Sequence, residues 1–206
     1  MFCLFCYDVP MNFVIVGLGN PGEEYMKTRH NVGWVVLDRF WKDFNFSEWQ
    51  DRAKNKGDVS EGKVGKSKIT LLKPGTMMNG SGKAVQTLIT SKKKAENLIV
   101  IHDDLDLPLG SFKIVFNRGT GGHKGVESIR KALGTKAFIR IKAGISQETL
   151  GGKLKKPKGE KKVLDFILGD FKKPEVLKIK KAAKNISGAL ESIILDGRQL
   201  AMNDWN

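Results

Sequence analysis

Cysteine is scarce in this sequence: its 206 residues include only Cys3 and Cys6, both near the amino terminus. Their CxxC spacing occurs in redox and zinc sites, but the chain has no second pair to complete such a site. A disulfide framework is also excluded for the rest of the chain, as is typical of proteins in a reducing compartment. We therefore expect a cytoplasmic location and assign these thiols no redox or zinc role.

Long apolar runs are absent as well. No segment reaches the roughly 18 apolar residues that a membrane span requires. Residues 1–10, MFCLFCYDVP, lack the basic start and the small-residue cleavage site of a signal peptide. We expect no membrane association. Because Met11 directly precedes a convincing strand, residues 1–10 are interpreted as a disordered or artefactual extension and residues 11–206 as one globular domain.

Acidic side chains are the minority charge. Lys and Arg number 36 against 22 Asp and Glu, which gives a formal net charge of +14. Such an excess favours association with a polyanion, and nucleic acid is the first partner to consider. A positive surface also serves solubility, so charge by itself leaves both interpretations open.

Short apolar runs bounded by Gly, Pro, Asn or Asp predict the strands, and three-to-four-residue apolar spacing predicts the helices. The predicted strands are 13–17, 69–72, 98–101, 112–116 and 138–145, and the predicted helices are 32–40, 84–89, 126–133 and 176–193. Their alternation indicates an α/β domain on a largely parallel or mixed sheet. The segment 151–162, GGKLKKPKGEKK, is too polar to bury and predicts an exposed, mobile loop, either a connector or a phosphate contact.

The glycine motif VIVGLGNPG, residues 14–22, has the GxGxxG spacing of a dinucleotide-binding turn. The acidic residues that would bind a ribose, Asp38 and Asp43, lie in or just after the predicted helix, and Pro21 disturbs the loop amides. We therefore disfavour a nicotinamide-dependent oxidoreductase. What remains is a sharp turn that presents Asn20 beyond the strand, where it either recognises a peptide-like group or caps the turn.

The chain has three histidines, and each lies at the boundary of a predicted element. His30 is a candidate general base if Asp103, directly after the predicted strand 98–101, fixes its ring. A metal site using His102, Asp103, Asp104 and Asp106 is the alternative, although no histidine pair at helical spacing supports it. A GxSxG nucleophile elbow is missing, so water is the expected nucleophile. Asn79 and Asn20 are candidate donors to the oxyanion, and Asn79 is alternatively a helix-cap residue.

Five motifs in this order resemble the bacterial peptidyl-tRNA hydrolase family over residues 11 to about 200. They are VIVGLGNPGEEY, TRHNVGW, LKPGTMMNGSGKAV, IVIHDDLDLPLG and GTGGHKGVESI. The resemblance implies a monomeric, single-domain α/β fold with a twisted mixed sheet flanked by helices. It also implies cleavage of the ester between a peptide, or an N-blocked amino acid, and the tRNA 3′ ribose, without a cofactor or metal.

The resemblance also implies residue roles. His30 would be the general base and Asp103 its support, while Asn20 would contact the peptide and Asn79 would bind near the ester. The other positions implied at the substrate are Tyr25, Met77, Met78, His123 and Lys124. An aromatic ring and two thioethers suit varied peptides and the terminal adenosine, although core packing is an alternative for the methionines.

Lys124 departs from the family pattern, which usually has asparagine after GGH. A lysine only donates hydrogen bonds, so a phosphate contact becomes more favourable than positioning of a water. The loop 151–162 and the lysines of the last predicted helix are further candidates for tRNA backbone contacts. These helix lysines are Lys178, Lys180, Lys181 and Lys184. A non-catalytic RNA-binding protein on the same scaffold is the principal alternative function.

Overall fold

The centre of the fold is a mixed open sheet of eight strands in the order β2-β3-β4-β1-β5-β7-β6, with β8 paired to β7. This computed structural model describes residues 10–149 and 151–206. The strands β4, β1, β5 and β7 are mutually parallel, and the outer pairs β2-β3, β3-β4 and β7-β6 are antiparallel. The predicted α/β class with a mixed sheet is confirmed.

The elements follow one another in an irregular alternation of strands and helices. The strands are β1 Asn12–Gly17, β2 Gln50–Arg52, β3 Gly57–Val64, β4 Ser67–Pro74, β5 Leu98–Pro108, β6 Phe112–Phe116, β7 Ile139–Glu148 and β8 Leu154–Lys155. The α-helices are α1 Val32–Asp43, α2 Ser81–Val85, α3 Lys92–Ala95, α4 Lys124–Leu133, α5 Glu160–Ile167, α6 Lys173–Leu195 and α7 Arg198–Trp205. Of these helices, none is both long and apolar enough to cross a bilayer within the described ranges.

Two hydrophobic cores lie on the two faces of the sheet, because successive strand residues point to opposite sides. In β5, Ile99 and Ile101 belong to the core that includes α1 and α6, whereas Leu98 and Val100 belong to the core that includes α2 and α4. The central strands therefore read as continuous apolar runs, as strands buried on both faces do.

The five predicted strands and four predicted helices are all present, and their boundaries changed except for those of β6, Phe112–Phe116. β5 continues to Pro108, so Asp103 lies within the strand rather than after it. α2 ends at Val85, because the next turn is tightened and Thr87 donates its hydroxyl to the Ala84 carbonyl. The short or polar elements β2, β3, α3 and α7 were not predicted, since they lack a long apolar period.

The prediction that 151–162 is a loop is wrong in two places. Residues 154 and 155 pair with β7, and the segment from Glu160 onward is already the first turn of α5. The lysines of that turn face solvent, while the apolar residues that hold the helix begin at Val163. The predicted extension lies outside the described residues except for Pro10, and so do both cysteines.

Gly17 of the first motif and Gly33 of the second allow close packing of α1 against the sheet. A Cβ on Gly33, in the first turn of α1, would lie 2.5 Å from the Leu18 carbonyl oxygen and 2.6 Å from that of Ile101. A Cβ on Gly17 would meet the Gly33 carbonyl oxygen at 2.5 Å. The missing side chains let α1 reach the carboxyl ends of β1 and β5, which places the residues just before α1 beside those strands.

We expect Gly33→Ala to destabilise the fold by about 2 kcal/mol, because overpacking against backbone cannot be relieved by a side-chain rotation and outweighs the better helix propensity of alanine. The measurement is the free energy of unfolding in urea. Gly119→Ala is the control, since no atom lies within 4 Å of the added Cβ. Equal stability of the Gly33 variant and the wild type would contradict this account of the packing at Gly33.

Candidate active site

A pocket of about 510 Å³ lies at the carboxyl edge of β1 and β5, the edge at which open α/β sheets bind ligands. All three histidines line it, and so do the apolar residues of α5 and the residue after it, Val163, Leu164, Ile167 and Leu168. Every site residue predicted from the sequence lines it: Asn20, Tyr25, His30, Met77, Met78, Asn79, Asp103, His123 and Lys124.

His30 and Asp103 form a direct pair within this pocket. His30 lies on the 3₁₀ turn Arg29–Asn31 that leads into α1, and its Nδ1 is 2.7 Å from Oδ1 of Asp103. Both side chains are buried. An ionised carboxylate only accepts hydrogen bonds, so His30 Nδ1 carries the proton and Nε2 keeps its lone pair.

His123 contacts the same carboxylate oxygen, an interaction that the sequence did not predict. It is the N-cap of α4, where its Nδ1 accepts from the amides of Gly125 at 3.1 Å and Val126 at 3.3 Å. The proton of the neutral ring must then be on Nε2, which lies 2.9 Å from Asp103 Oδ1. The GGHKG motif at a helix start was the available signal, because an N-cap side chain accepts from the first-turn amides.

Asp103 is buried and yet stays ionised. Burial alone would raise its pKa, but the attraction of His30 and His123 and the hydrogen bonds from both rings outweigh it and hold the pKa of Asp103 well below its ordinary value. The carboxylate therefore orients two imidazole rings at once, at a ring-centroid separation of 5.1 Å.

His102 is the third histidine of the cluster, and its ring packs edge-on against His123 with centroids 4.6 Å apart. Its Nδ1 lies 2.7 Å from the backbone carbonyl of Asp103. Burial, followed by the nearby His123, holds the pKa of His102 well below the usual histidine value. His102 is therefore neutral, and it steadies the backbone of Asp103.

Asn20 is held on its loop by a partner that sequence reasoning missed. The backbone amide of Asn20 donates to Oδ1 of Asn31, and its backbone carbonyl accepts from Asn31 Nδ2, each at 2.9 Å. The Asn20 side chain accepts from the Met78 amide at 2.7 Å through Oδ1. No described residue hydrogen-bonds Asn20 Nδ2, so this donor is available to a ligand in the pocket.

The loop that contains Met77, Met78 and Asn79 divides between core and pocket. Met78 is 5% exposed and belongs to the second core, so core packing describes it, whereas Met77 is 48% exposed at the pocket. The N-cap of α2 is Gly80, so the helix-cap alternative for Asn79 is wrong. Asn79 is instead exposed and lines the pocket.

Ion pairs surround the pocket at its rim. Lys124 Nζ is 3.5 Å from Glu160 of α5, and Lys156 Nζ is 2.6 Å from Asp106. Asp104 is paired with Lys142 at 2.6 Å. Of the acidic residues of the alternative metal site, Asp104 and Asp106 are thus paired with lysines and Asp103 with His30 and His123, and they form no cluster with His102 among the described residues.

The metal-ligating atoms of His30, Asp103 and His123 do lie within 4.8 Å of one another. Their closeness is accounted for by the two ring protons shared with one carboxylate oxygen. A cation between them would have to displace both protons. The arrangement is therefore that of a hydrogen-bonded cluster in which two imidazole rings share one carboxylate oxygen.

An open α/β sheet with a buried histidine–carboxylate pair in a pocket at its carboxyl edge is the arrangement of an α/β enzyme. The sequence profile of the family described as peptidyl-tRNA hydrolase matches residues 14–206. The chain belongs to this family and is a hydrolase that acts on ester bonds.

Relatives named peptidyl-tRNA hydrolase support the assignment. The protein from Thermodesulfovibrio yellowstonii is 44% identical over 201 residues, which are 94% of this chain and 98% of that protein. The protein from Bacillus cytotoxicus is 39% identical, with 94% and 98% covered. The crystal structure of peptidyl-tRNA hydrolase from Acinetobacter baumannii is similar with a TM-score of 0.83 and 27% identity, over 94% of each chain.

We expect Asp103→Asn to flatten the acid dependence of stability. The unfolded-state pKa is about 3.9 and the folded value is far lower. Ionised Asp103 thus contributes stability that is complete above the unfolded pKa and is lost as the pH falls towards the folded value. Between about pH 5 and pH 2, the free energy of unfolding should fall less steeply in the variant than in the wild type. The free energy of unfolding is measured in urea at each pH. If it fell equally steeply with falling pH in the variant and the wild type, the depressed pKa would be contradicted.

Proposed function

We propose that this chain hydrolyses the ester that joins a peptide, or an N-blocked amino acid, to the 3′ ribose of tRNA, with His30 as general base and Asp103 as its support. The observation that carries the proposal is the 2.7 Å contact of His30 Nδ1 with a buried, ionised carboxylate. It leaves Nε2 of His30 as an acceptor on a ring of fixed orientation. The pocket is complete within one chain, and we propose that the enzyme acts as a monomer.

In the first step, Nε2 of His30 takes a proton from a water while the water oxygen attacks the ester carbonyl. The imidazolium that forms donates to Asp103, whose negative charge stabilises it. In the second step, the tetrahedral intermediate collapses and the ester bond breaks. His30 returns the proton to the ribose oxygen that leaves, so the base is regenerated.

Asn20 would recognise the peptide. Its Oδ1 already accepts from the Met78 amide, so the Nδ2 donor is the group left for a ligand. A carbonyl of the peptide or of the blocking group is the matching acceptor. An unblocked aminoacyl group has an ammonium in that place and offers no acceptor. The exposed amide of Asn79 is proposed as a donor near the ester, where negative charge develops.

The remaining predicted residues would hold the ends of the substrate. Tyr25 is half-buried and Met77 exposed, which suits contact with the terminal adenosine or the peptide. His123 would keep Asp103 in place. Lys124 is 65% exposed through its side chain at the pocket rim and is proposed to contact a phosphate of the tRNA end.

A second hollow provides a basic surface for the tRNA backbone. Sequence reasoning missed this hollow because its cations come from separate parts of the chain: β6 and the loop after it, β7 and α7. Its volume is about 550 Å³, none of the described acidic residues lines it, and the cations around it are Lys113, Arg118, Arg140, Lys142 and Arg198. Of these, Arg140 is buried and Lys142 is paired with Asp104. The segment 118–123 leads from this hollow to the active pocket. The lysines of α6 that were predicted to contact tRNA are exposed as well. Contacts of this kind do not read sequence, which suits an enzyme acting on many tRNAs.

We expect the wild type to release N-acetyl amino acid from charged tRNA and His30→Ala to be slower by about 10³-fold or more, because the general base is lost. Filter binding should show unchanged affinity for tRNA, and circular dichroism an intact fold. Activity absent from both proteins would favour a non-catalytic RNA-binding protein. Equal activity in both would remove His30 from the mechanism.

Lys124→Ala should raise the Michaelis constant several-fold and leave turnover nearly unchanged, because an exposed lysine that contacts phosphate contributes to binding but not to the chemical step. Raising the salt concentration should raise the Michaelis constant of the wild type more steeply than that of the variant. Lys131→Ala on the same helix is the matched control, since Lys131 is exposed and does not line the active pocket. A large fall in turnover at constant Michaelis constant would assign Lys124 to the chemistry instead.

A further inference from the structure

Arg29 directly precedes the proposed base and is buried, with 6% of its surface exposed. Its side chain is not among those that line the pocket; it enters the linker between α5 and α6 instead. Nη1 donates to the Gly169 carbonyl at 2.9 Å and lies 3.5 Å from that of Phe166. The guanidinium carbon is 4.6 Å from the centre of the Phe166 ring and 5.5 Å from that of Phe171.

The other end of the Arg29 fork meets Glu175, in the first turn of α6. Nη2 lies 2.8 Å from Oε2 of this carboxylate, and both side chains are 7% exposed. Glu175 also accepts from the Lys172 amide at 2.7 Å and from Gln147 Nε2 at 2.6 Å. Burial would raise the pKa of Glu175, but these donors and Arg29 hold it below its ordinary value, so the pair is ionised.

Backbone hydrogen bonds join the same two segments. The Arg29 amide donates to the Gly169 carbonyl and the Phe171 amide to the Lys27 carbonyl, each at 3.1 Å. Thr28 and Asp170 form an isolated antiparallel bridge between these bonds. The α5–α6 linker is therefore paired with the chain segment that ends at His30.

This connection matters because α5 forms the apolar wall of the pocket. Val163, Leu164, Ile167 and Leu168 line the same pocket as the histidines. At its outer end, α5 is held by the exposed pair Lys124–Glu160, and an exposed pair of this kind contributes little. The wall is therefore fixed mainly at its inner end, where Phe166 and Ile167 pack against the first core and Arg29 binds the linker.

A purely stabilising role for the Arg29–Glu175 pair is a weak explanation of its presence. Buried ion pairs often contribute no more to stability than apolar side chains of the same volume. A guanidinium, however, can bind two carbonyls and a carboxylate in fixed directions, which a lysine ammonium or an apolar side chain cannot. The geometry of the contact is what requires arginine.

We infer that Arg29 is a positioning residue that sets the apolar α5 wall against His30 and thereby determines how the pocket accepts apolar side chains of the esterified residue. This inference rests on the proposed function, because the selectivity is that of the same pocket. Arg29 does not touch the reacting atoms, and its effect passes through α5.

The test compares release from N-acetyl-phenylalanyl-tRNA and N-acetyl-glycyl-tRNA, since glycine has no side chain to contact the wall. In Arg29→Lys, the Michaelis constant for the phenylalanyl substrate should rise about tenfold, as expected for a misplaced apolar contact. The glycyl substrate should change by less than about twofold, and turnover should change little for both. Glu175→Gln should shift the same ratio in the same direction and serves as the second variant if Arg29→Lys does not fold.

Asp43→Asn is the matched control. The Asp43 carboxylate accepts from Ser187 at 2.7 Å and so ties α1 to α6, but Asp43 does not line the pocket. This variant should lower the melting temperature without changing the substrate ratio. Lower melting temperatures for the Arg29 and Glu175 variants with the wild-type ratio would overturn the inference, as would an equal shift in Asp43→Asn.

Hydrogen–deuterium exchange gives a readout that is independent of activity. Residues 160–171 should exchange faster in Arg29→Lys than in the wild type, while β5 and α4 remain unchanged. Unchanged exchange in 160–171 would overturn the inference even if the enzyme is active. If the wild type releases neither substrate, the proposed function fails, and the exchange data still decide whether Arg29 holds the wall.

Discussion

The site depends on one buried oxygen atom, Oδ1 of Asp103, which accepts a hydrogen bond from each of two histidines. A buried carboxylate is costly unless hydrogen bonds and opposite charge compensate it, so its partners must come close and point correctly. His30 arrives from the turn before α1 and His123 from the start of α4. Three separate parts of the chain are thereby placed by one charge, and the ring that faces the pocket keeps a free lone pair.

The scaffold brings those parts together through close approach of backbone and through amides. Gly17 and Gly33 allow α1 to reach the ends of β1 and β5, and Asn31 holds the Asn20 loop by two reciprocal bonds. The hydrogen bonds at the other ring nitrogen of His123 also matter. His123 Nδ1 binds the first amides of α4, which leaves only its Nε2 proton for Asp103. The same histidine thus caps α4 and donates a hydrogen bond to the charged Asp103.

Around this centre the pocket separates two kinds of recognition. The wall formed by α5 is apolar, whereas the rim and the neighbouring hollow carry lysines and arginines. An apolar wall suits side chains of varied shape, and exposed cations suit a phosphate backbone. A substrate that is a peptide at one end and a nucleic acid at the other matches this division.

The sequence by itself determined the fold class and the central strands, because apolar periodicity is a local property. Through the resemblance of its motifs to a known family, it also indicated nine of the residues that line the pocket. Only the tertiary structure decided the hydrogen-bond partners of the histidine rings, the second contact of Asp103 and the contacts of Arg29, because each depends on groups distant along the chain. The sequence had placed Asp103 after the strand and the basic loop as far as residue 162, whereas Asp103 lies within β5 and α5 begins at Glu160. The cations of the second hollow were likewise unrecognisable from a single segment, since they converge only when β6, β7 and α7 pack together.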